Sequence, residues 1–364
     1  MTAQPRKPLV AARDNRPGLD PRRLMRLMGE AIERCHLDLS GRTLLTEAAS
    51  GAYVITPVLA AMAGADVYAL AGPTSYATTD ELQASTAELA RHCGVSDRIH
   101  FVRQKIPEVI GVADIVTNSG QVRPITAAMV AEMKPTAVVP LMYESWEYRR
   151  SDVDLEACHA RGIPVAGTNE SHPIVDAFSF LGPMAVRLLH DAGIAVYRSR
   201  IVLLCDNPFA PFIARYLRKG GAEVVTARRL TATTLSRPCD AVLLALRPST
   251  GPRFTAADAR MVGRQAPGAV LVQFWGDTDR EALAATEVPV WPVVPPAAGH
   301  MGVLTSDIGP EAVVRLQSGG LKVGELLARG LDHAGPEECG LVQMLTKFNG
   351  YSQQRTRNES QEEA

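Results

Sequence analysis

The segment 199–229 has the pattern of a strand, a tight turn, an amphipathic helix and a second strand. The first strand is the apolar run Ile201–Leu204, and a Gly-Gly pair ends the helix before the second strand begins. This is the first βαβ half of a doubly wound domain of the dinucleotide-binding type, in which the turn normally reads G-x-G-x-x-G. In this sequence the three glycine positions hold Cys205, Asn207 and Ala210. The scaffold is therefore predicted, whereas its usual phosphate-binding chemistry stays open.

The size and composition of the chain predict an α/β protein with two domains. The chain has 364 residues, 46% hydrophobic content and a formal net charge of −1. This balance argues against nucleic acid or an anionic membrane surface as a partner. Six scattered cysteines lack the spacing of a metal site, so we predict reduced thiols and no bound metal. The basic N-terminus has no apolar core of a signal peptide, and no stretch is long enough to span a bilayer, which predicts a cytoplasmic location.

Strand and helix patterns alternate along most of the chain. This alternation predicts two doubly wound, Rossmann-like α/β domains with mostly parallel sheets. A long helix over 174–192 is expected to connect them. We predict an N-terminal arm and helix over 1–39, a first Rossmann-like domain that binds substrate over 40–173, a second domain of the dinucleotide-binding type over 174–335, and a C-terminal return segment with a polar, disordered tail over 336–364.

Residues from about Ala113 to Leu283 resemble the D-isomer-specific 2-hydroxyacid dehydrogenases, the family of formate, glycerate and phosphoglycerate dehydrogenases. The passages that carry the resemblance are ADIVTNSG…ITAAMVAEMKPTAVV, DVDLEACHARGIPVAGTNE, the strand–turn–helix–strand segment above, and CDAVLLALRPST…PGAVLV. The most specific is DVDLEACHARGIPV, which follows the family pattern D-x-D-L-x-A-x-x-x-G-I-x-V. The resemblance covers about half of the chain. It implies an interdomain cleft, a nicotinamide cofactor and hydride transfer with a small oxo or hydroxy compound.

The sequence departs from this family at three places that matter for chemistry. The glycine fingerprint is missing, and Trp275-Gly276 stands where the family has its catalytic arginine. The acidic residue that would hold a ribose hydroxyl is replaced by Ala227-Arg228-Arg229. These arginines could bind the 2′-phosphate of NADP, or they could simply be solvated side chains at the end of a strand, and the sequence favours neither interpretation. We predict NADP or NAD as the cofactor, with contacts from Asp206, Asn207, Phe209, Ala210, Arg228, Pro248 and Thr250.

Candidate substrate and catalytic residues lie in three loops. The loop LMYESWEYRR follows a strand, at the edge where open α/β sheets bind ligands. It indicates either a site for a polar or cationic ligand that stacks on an aromatic ring, or a charged first turn of a helix. The other loops are the hinge GTNESHP and the segment PPAAGHMG. We predict substrate binding by Tyr143, Trp146, Arg149, Asn169 and Glu170, and acid–base catalysis by Glu144, Glu147, His172 and His300.

Two other functional interpretations stay open. The passage TEAASGAYVITPVLAAMAGADVYALAG has a weaker resemblance to Rossmann-type methyltransferases, in which residues 47–51 would contact S-adenosylmethionine. A non-redox enzyme on the same scaffold, a methyltransferase or a lyase, is therefore one alternative. A catalytically inactive binding protein is the other. The predicted partners are a small-molecule substrate and a second copy of the chain in a homodimer.

Overall fold

The computed structural model describes residues 16–74 and 77–346. They form two compact units. Unit 1 contains the described residues up to Asp176 together with those from Gly309 onward, and unit 2 is the continuous segment Ala177–Ile308. Unit 2 therefore ends earlier than the predicted domain 174–335, because the chain returns to unit 1 at Gly309. Most of the predicted arm and the polar tail lie outside the described residues.

Unit 1 opens with helices and strands that alternate as the sequence pattern predicts. Helix α1 (Pro21–Cys35) begins at Asp20, whose side chain accepts hydrogen bonds from the backbone N–H groups of Arg22 and Arg23. The following elements are β1 (Thr43–Glu47), α2 (Ile55–Met62), β2 (Asp66–Leu70), α3 (Thr79–Cys93), β3 (Ile99–Val102), α4 (Pro107–Ile110), β4 (Ile115–Val116), α5 (Ala127–Glu132), β5 (Val139–Pro140), α6 (Leu155–Ala160) and β6 (Val165–Thr168).

Unit 2 starts with a helix that is shorter than the predicted 174–192. Asp176 has a left-handed backbone with φ of 50°, which does not continue a helix. A 3-10 turn over Phe178–Phe180 then leads into α7 (Leu181–Asp191). The remaining elements are β7 (Arg200–Leu204), α8 (Ala210–Lys219), β8 (Glu223–Ala227), β9 (Ala241–Ala245), α9 (Ala256–Gln265), β10 (Val270–Trp275), α10 (Arg280–Ala284) and β11 (Val290–Trp291).

The chain then completes unit 1 with α11 (Pro310–Arg329), α12 (Pro336–Leu341) and β12 (Val342–Met344). Helix α11 packs against α1, α2 and β6. Its glycines allow this close approach: a Cβ on Gly320 would lie 2.6 Å from Sδ of Met142. None of the helices in the described part of the chain is long and apolar enough to cross a membrane.

A buried lysine fixes α11 to its neighbours. Lys322 is 2% exposed. Its Nζ donates a hydrogen bond to the carbonyl of His36 at 2.9 Å and pairs with Glu325 at 2.8 Å and with Glu338 at 3.2 Å. Because a buried charge is stable only when it is paired and hydrogen-bonded, these contacts hold α1, α11 and α12 together.

Both units contain doubly wound sheets whose strand order reverses once. In unit 1 the strand order is β3-β2-β1-β4, and a parallel bridge joins β4 to the segment that leads into β5. Strand β5 then pairs with β6, and β6 pairs with the antiparallel strand β12. In unit 2 all strands are parallel in the order β11-β10-β9-β7-β8. The reversals lie between β1 and β4 and between β7 and β9. Open α/β sheets bind ligands beyond the carboxyl ends of the strands at such switch points.

Candidate functional site

A buried carboxyl group holds down the loop after β5, which carries the predicted substrate residues. Glu144 is 4% exposed. The backbone N–H of Glu170 donates to its Oε1 at 2.9 Å, and Nε2 of Gln343 donates to its Oε2 at 2.6 Å. Oε1 of Gln343 accepts a hydrogen bond from the backbone N–H of Ser145 at 2.8 Å. Glu144 therefore connects the loop to the segment after β6 and to β12. These contacts give Glu144 a role in positioning the loop, in addition to its predicted catalytic role.

Glu170, in the segment after β6, lies near Glu144 and Glu147 of this loop, and burial together with their mutual repulsion sets the protonation of Glu147 and Glu170. Burial and, to a smaller extent, the charge of Glu144 raise the pKa of Glu147 to about 7, although Arg149 opposes the shift. Burial also raises the pKa of Glu170 well above its ordinary value, with added effects from Glu147 and Glu144. A carboxyl group that titrates near neutrality can both give and accept a proton. The acid–base role of Glu147 stays a prediction.

The three other predicted substrate residues of this loop differ in their surroundings. Tyr143 is half-buried, and its hydroxyl accepts a hydrogen bond from Nδ2 of Asn118 at 2.7 Å and donates one to Oδ2 of Asp152 at 3.1 Å. Trp146 and Arg149 are also half-buried. The hydroxyl of Tyr143 is therefore used within the fold, while the positive charge of Arg149 acts on the carboxyl of Glu147.

The hinge residues Asn169 and His172 hydrogen-bond to nearby backbone. Asn169 donates from its backbone N–H to the carbonyl of Leu341 at 2.9 Å and from Nδ2 to the carbonyl of Gly340 at 3.0 Å. Nδ1 of His172 accepts from the backbone N–H of Ile174 at 3.3 Å. In the neutral ring this bond leaves the proton on Nε2. Both side chains thus support the hinge.

In unit 2, the side chain of Asn207 closes the turn that follows β7. Its Oδ1 accepts from the backbone N–H of Phe209 at 3.0 Å, and its Nδ2 donates to the carbonyl of Ala245 at 2.7 Å. Asn207 therefore bridges β7 and β9 at the switch point. With glycine at this position the backbone is open to a pyrophosphate. A pyrophosphate that approached this turn would have to displace the Asn207 side chain.

Asp206, the residue before Asn207, also connects this turn to the segments that follow β9. Its Oδ1 accepts from the backbone N–H of Arg247 at 2.8 Å, and its Oδ2 pairs with Nη2 of Arg253 at 2.7 Å. Burial alone would raise the pKa of Asp206, but the Arg247 N–H and the Arg253 guanidinium hold it below its ordinary value. The predicted cofactor contact from Asp206 thus competes with partners inside unit 2.

Phe209 belongs to the interior of unit 2, which differs from its predicted contact with a cofactor. Its ring stacks on Trp275 with the centroids 5.2 Å apart and meets Phe178 edge-on at 5.2 Å. Nε1 of Trp275 donates to the carbonyl of Gly299 at 3.0 Å, one residue before the exposed His300. Trp275 therefore brings the loop that carries His300 beside the altered turn.

The other predicted cofactor residues lie along the carboxyl edge of the same sheet. Ala210 is the first residue of α8, and Pro248 is buried in the loop after β9. Thr250 and Arg228 are exposed, and Arg228 follows the last residue of β8. Their contact with a nucleotide stays a prediction.

The structure therefore groups the predicted residues into two sets. Unit 1 joins Glu144, Glu147 and Glu170 with Arg149, and unit 2 joins the turn after β7 with the His300 loop. Sequence reasoning missed Gln343, Arg253 and the anchoring role of Trp275. A sequence signal existed for Trp275, because it replaces the arginine that the family pattern requires, but Gln343 and Arg253 act through partners far away in the chain.

No protein-family model and no curated protein matches this chain. Among solved structures, a dipicolinate synthase polypeptide from Bacillus halodurans aligns with a TM-score of 0.51 at 12% identity, covering 80% of this chain and 99% of that one. This chain shares that fold.

Two dehydrogenase structures are also similar. One is the NAD-dependent formate dehydrogenase from Staphylococcus aureus in complex with NAD, which aligns with a TM-score of 0.46 at 14% identity and covers 80% of this chain and 95% of that one. The other is the NAD⁺-bound 3-phosphoglycerate dehydrogenase from Entamoeba histolytica, which aligns with a TM-score of 0.44 at 9% identity and covers 85% of this chain and 100% of that one. At such identities the likeness concerns the fold alone. The predicted fold of two Rossmann-like α/β domains is confirmed by the likeness to the synthase polypeptide.

Proposed function

We propose that this protein is an oxidoreductase that binds a nicotinamide dinucleotide at unit 2 and acts on a small oxo or hydroxy metabolite. The observation that carries the proposal is the switch point between β7 and β9. There the altered turn, the loop with Pro248 and Thr250, and the His300 loop meet one edge of a parallel sheet. The sequence resemblance to the 2-hydroxyacid dehydrogenases and the dehydrogenase-like fold support it.

The closed turn limits how such a cofactor is held. A pyrophosphate has to displace the Asn207 side chain from Phe209 and Ala245, so we expect weak binding or a shifted pose. Arg228 and Arg229 are exposed at the end of β8 and are suited to a 2′-phosphate. We therefore propose a preference for NADP over NAD. His300, on the loop beside the turn, is the proposed proton donor or acceptor of unit 2.

Calorimetric titration with NADPH, NADH and S-adenosylmethionine tests this proposal. NADPH should bind more tightly than NADH, and the Arg228→Ala/Arg229→Ala double variant should lose that preference with little change in NADH affinity. The matched control is Arg260→Ala/Arg264→Ala, two exposed arginines on α9 of the same unit. Equal affinity for both nucleotides would refute the NADP preference. Failure to bind either nucleotide would refute the oxidoreductase, and binding of S-adenosylmethionine would favour a methyltransferase.

The glutamates of unit 1 favour a second candidate, a lyase-type enzyme that transfers protons without a nucleotide. Glu147 titrates near neutrality beside Glu144 and Glu170, as an acid–base catalyst requires. Deuterium incorporation into dihydroxyacetone, a neutral ketone that carboxylates do not repel, measures this activity in D₂O. Exchange should disappear in Glu147→Gln and persist in Glu156→Gln, a surface position on α6. If the unmodified protein exchanges no deuterium into dihydroxyacetone, a lyase-type activity on neutral ketones is excluded.

The sequence also predicts a homodimer, which we retain as part of the proposal. Light scattering of the eluted protein should give twice the chain mass of 39.1 kDa. A mass of one chain would refute it.

A further inference from the structure

One face of the unit 1 sheet changes from apolar to polar at the carboxyl ends of three strands. Residues two positions apart in a strand point to the same face. Three members of one buried core mark this face: Leu45 in β1, Val116 in β4 and Leu141 after β5. Two positions further along the chain come Glu47, Asn118 and Tyr143. Leu45 pairs with Val116, so Glu47 and Asn118 follow side by side where the strand order reverses between β1 and β4, and a hydrogen bond joins Asn118 to Tyr143.

Hydrogen bonds and ion pairs join these residues to two more. Nδ2 of Asn118 donates to the hydroxyl of Tyr143, which donates to Oδ2 of Asp152. The guanidinium of Arg123 lies 3.4 Å from the same Oδ2 and also acts on the carboxyl of Glu47. We call these five residues the switch-point cluster.

The carbonyl oxygen of the Asn118 side chain stands out in this cluster. Asn118 is 2% exposed, and its Oδ1 has no hydrogen-bond partner within the described residues. In this arrangement Tyr143 gives its single proton to Asp152, and its oxygen accepts the proton that Nδ2 of Asn118 donates. A buried acceptor without a donor is destabilising. The cluster thus holds an acceptor that an N–H or O–H group from outside could satisfy.

Glu47 adds to the cluster a carboxyl group whose negative charge is only partly compensated by its neighbours. Glu47 is half-buried, and its carboxyl group packs directly on the backbone of Gly120. A Cβ atom added to Gly120 would lie only 1.3 Å from Oε2 of Glu47. Burial raises the pKa of Glu47, while Arg123 and the backbone N–H of Gln121 lower it only in part. Arg123 also pairs with Asp152. Two carboxyl groups thus share one guanidinium, and a further cation would stabilise the ionised form of Glu47.

We propose that the switch-point cluster binds the primary ammonium group of a small amine, which donates to Oδ1 of Asn118 and pairs with the carboxylate of Glu47. An ammonium group brings several donors and one positive charge, the two things that the cluster needs. A neutral diol brings donors without the charge. The inference goes beyond the proposed oxidoreductase, because it concerns unit 1 alone and does not depend on a nucleotide.

Ethanolamine and ethylene glycol form a matched pair of probes, since they differ by an ammonium group in place of a hydroxyl group. Each is titrated into the full chain by calorimetry at constant ionic strength from pH 5 to 8. Ethanolamine should bind saturably and at least tenfold more tightly than ethylene glycol. Its affinity should rise with pH as Glu47 loses its proton, since only the carboxylate pairs with the cation.

Three variants locate the binding. Glu47→Gln keeps the shape of the side chain and should weaken ethanolamine binding at least tenfold and abolish its rise with pH. Asn118→Ala should weaken binding but keep the rise, which also provides a test if the first variant does not fold. Glu132→Gln, an exposed change at the end of α5, should behave like the unmodified protein. Absence of saturable ethanolamine binding, equal affinity for ethylene glycol, or binding that survives Glu47→Gln unchanged would overturn the proposal.

Discussion

Replacing Asn207 with glycine should weaken unit 2 and tighten nucleotide binding in the same molecule. The side chain makes hydrogen bonds of 3.0 Å with Phe209 and 2.7 Å with Ala245, each with a net stabilisation of about 0.5–1.5 kcal/mol. Glycine also adds entropy to the unfolded chain, so the free energy of unfolding should fall by about 2–4 kcal/mol. The freed N–H of Phe209 becomes available to a phosphate. One regained hydrogen bond of about 1.4 kcal/mol would lower the dissociation constant of NADPH about tenfold.

Urea denaturation measures the stability of this variant, and calorimetric titration measures its affinity for NADPH. Asn207→Asp is the matched control, because it keeps an acceptor for Phe209, loses the donor to Ala245 and adds a negative charge. It should bind NADPH more weakly than the unmodified protein. If Asn207→Gly folds and its affinity for NADPH is unchanged or lower, then Asn207 does not obstruct the nucleotide and the argument fails.

Three further changes test the packing and the charges of unit 1. Lys322→Ala should lower the free energy of unfolding by about 3–5 kcal/mol in urea, since it leaves the buried Glu325 without its main partner; a loss below about 1 kcal/mol would contradict this. Gly120→Ala should cost about 2–4 kcal/mol in the same assay, because φ is +35° and Glu47 occupies the space of a Cβ. Burial raises the pKa of Glu147 from its ordinary 4.5 to about 7, so the folded state binds more protons in that range. Stability should therefore decrease as pH rises from 4.5 to about 7, and Glu147→Gln should reduce this decrease in urea titrations.

The sequence predicts the doubly wound fold because buried parallel strands leave continuous apolar runs. Strand β7 lies where the run Ile201–Leu204 predicts it, and β9 forms Ala241–Ala245. The Asp20 cap is also visible in the sequence, since capping depends on neighbouring residues. The missing glycines indicate an altered turn, although the sequence does not show that Asn207 bridges to Ala245.

Features that depend on distant contacts could not be predicted. Gln343 is 199 positions from Glu144 in the chain, and no local pattern links the two. A return segment is predicted over 336–364, but the chain already rejoins unit 1 at Gly309, because α11 is held by Met142, His36 and other residues far from it in sequence. The raised pKa of Glu147 follows from burial and from Glu144, so it too emerges only when the loop is folded.

The split of unit 1 around unit 2 has a consequence for biosynthesis. Strand β6 ends at Thr168, whereas its antiparallel neighbour β12 begins at Val342. At roughly 5–20 residues per second, the ribosome needs on the order of ten to thirty seconds to deliver the missing strand. During that interval the nascent chain presents an unpaired strand edge and the apolar surface that α11 later covers. An edge of this kind readily pairs with other chains, so chaperone capture during translation would protect this protein while unit 2 is still being made.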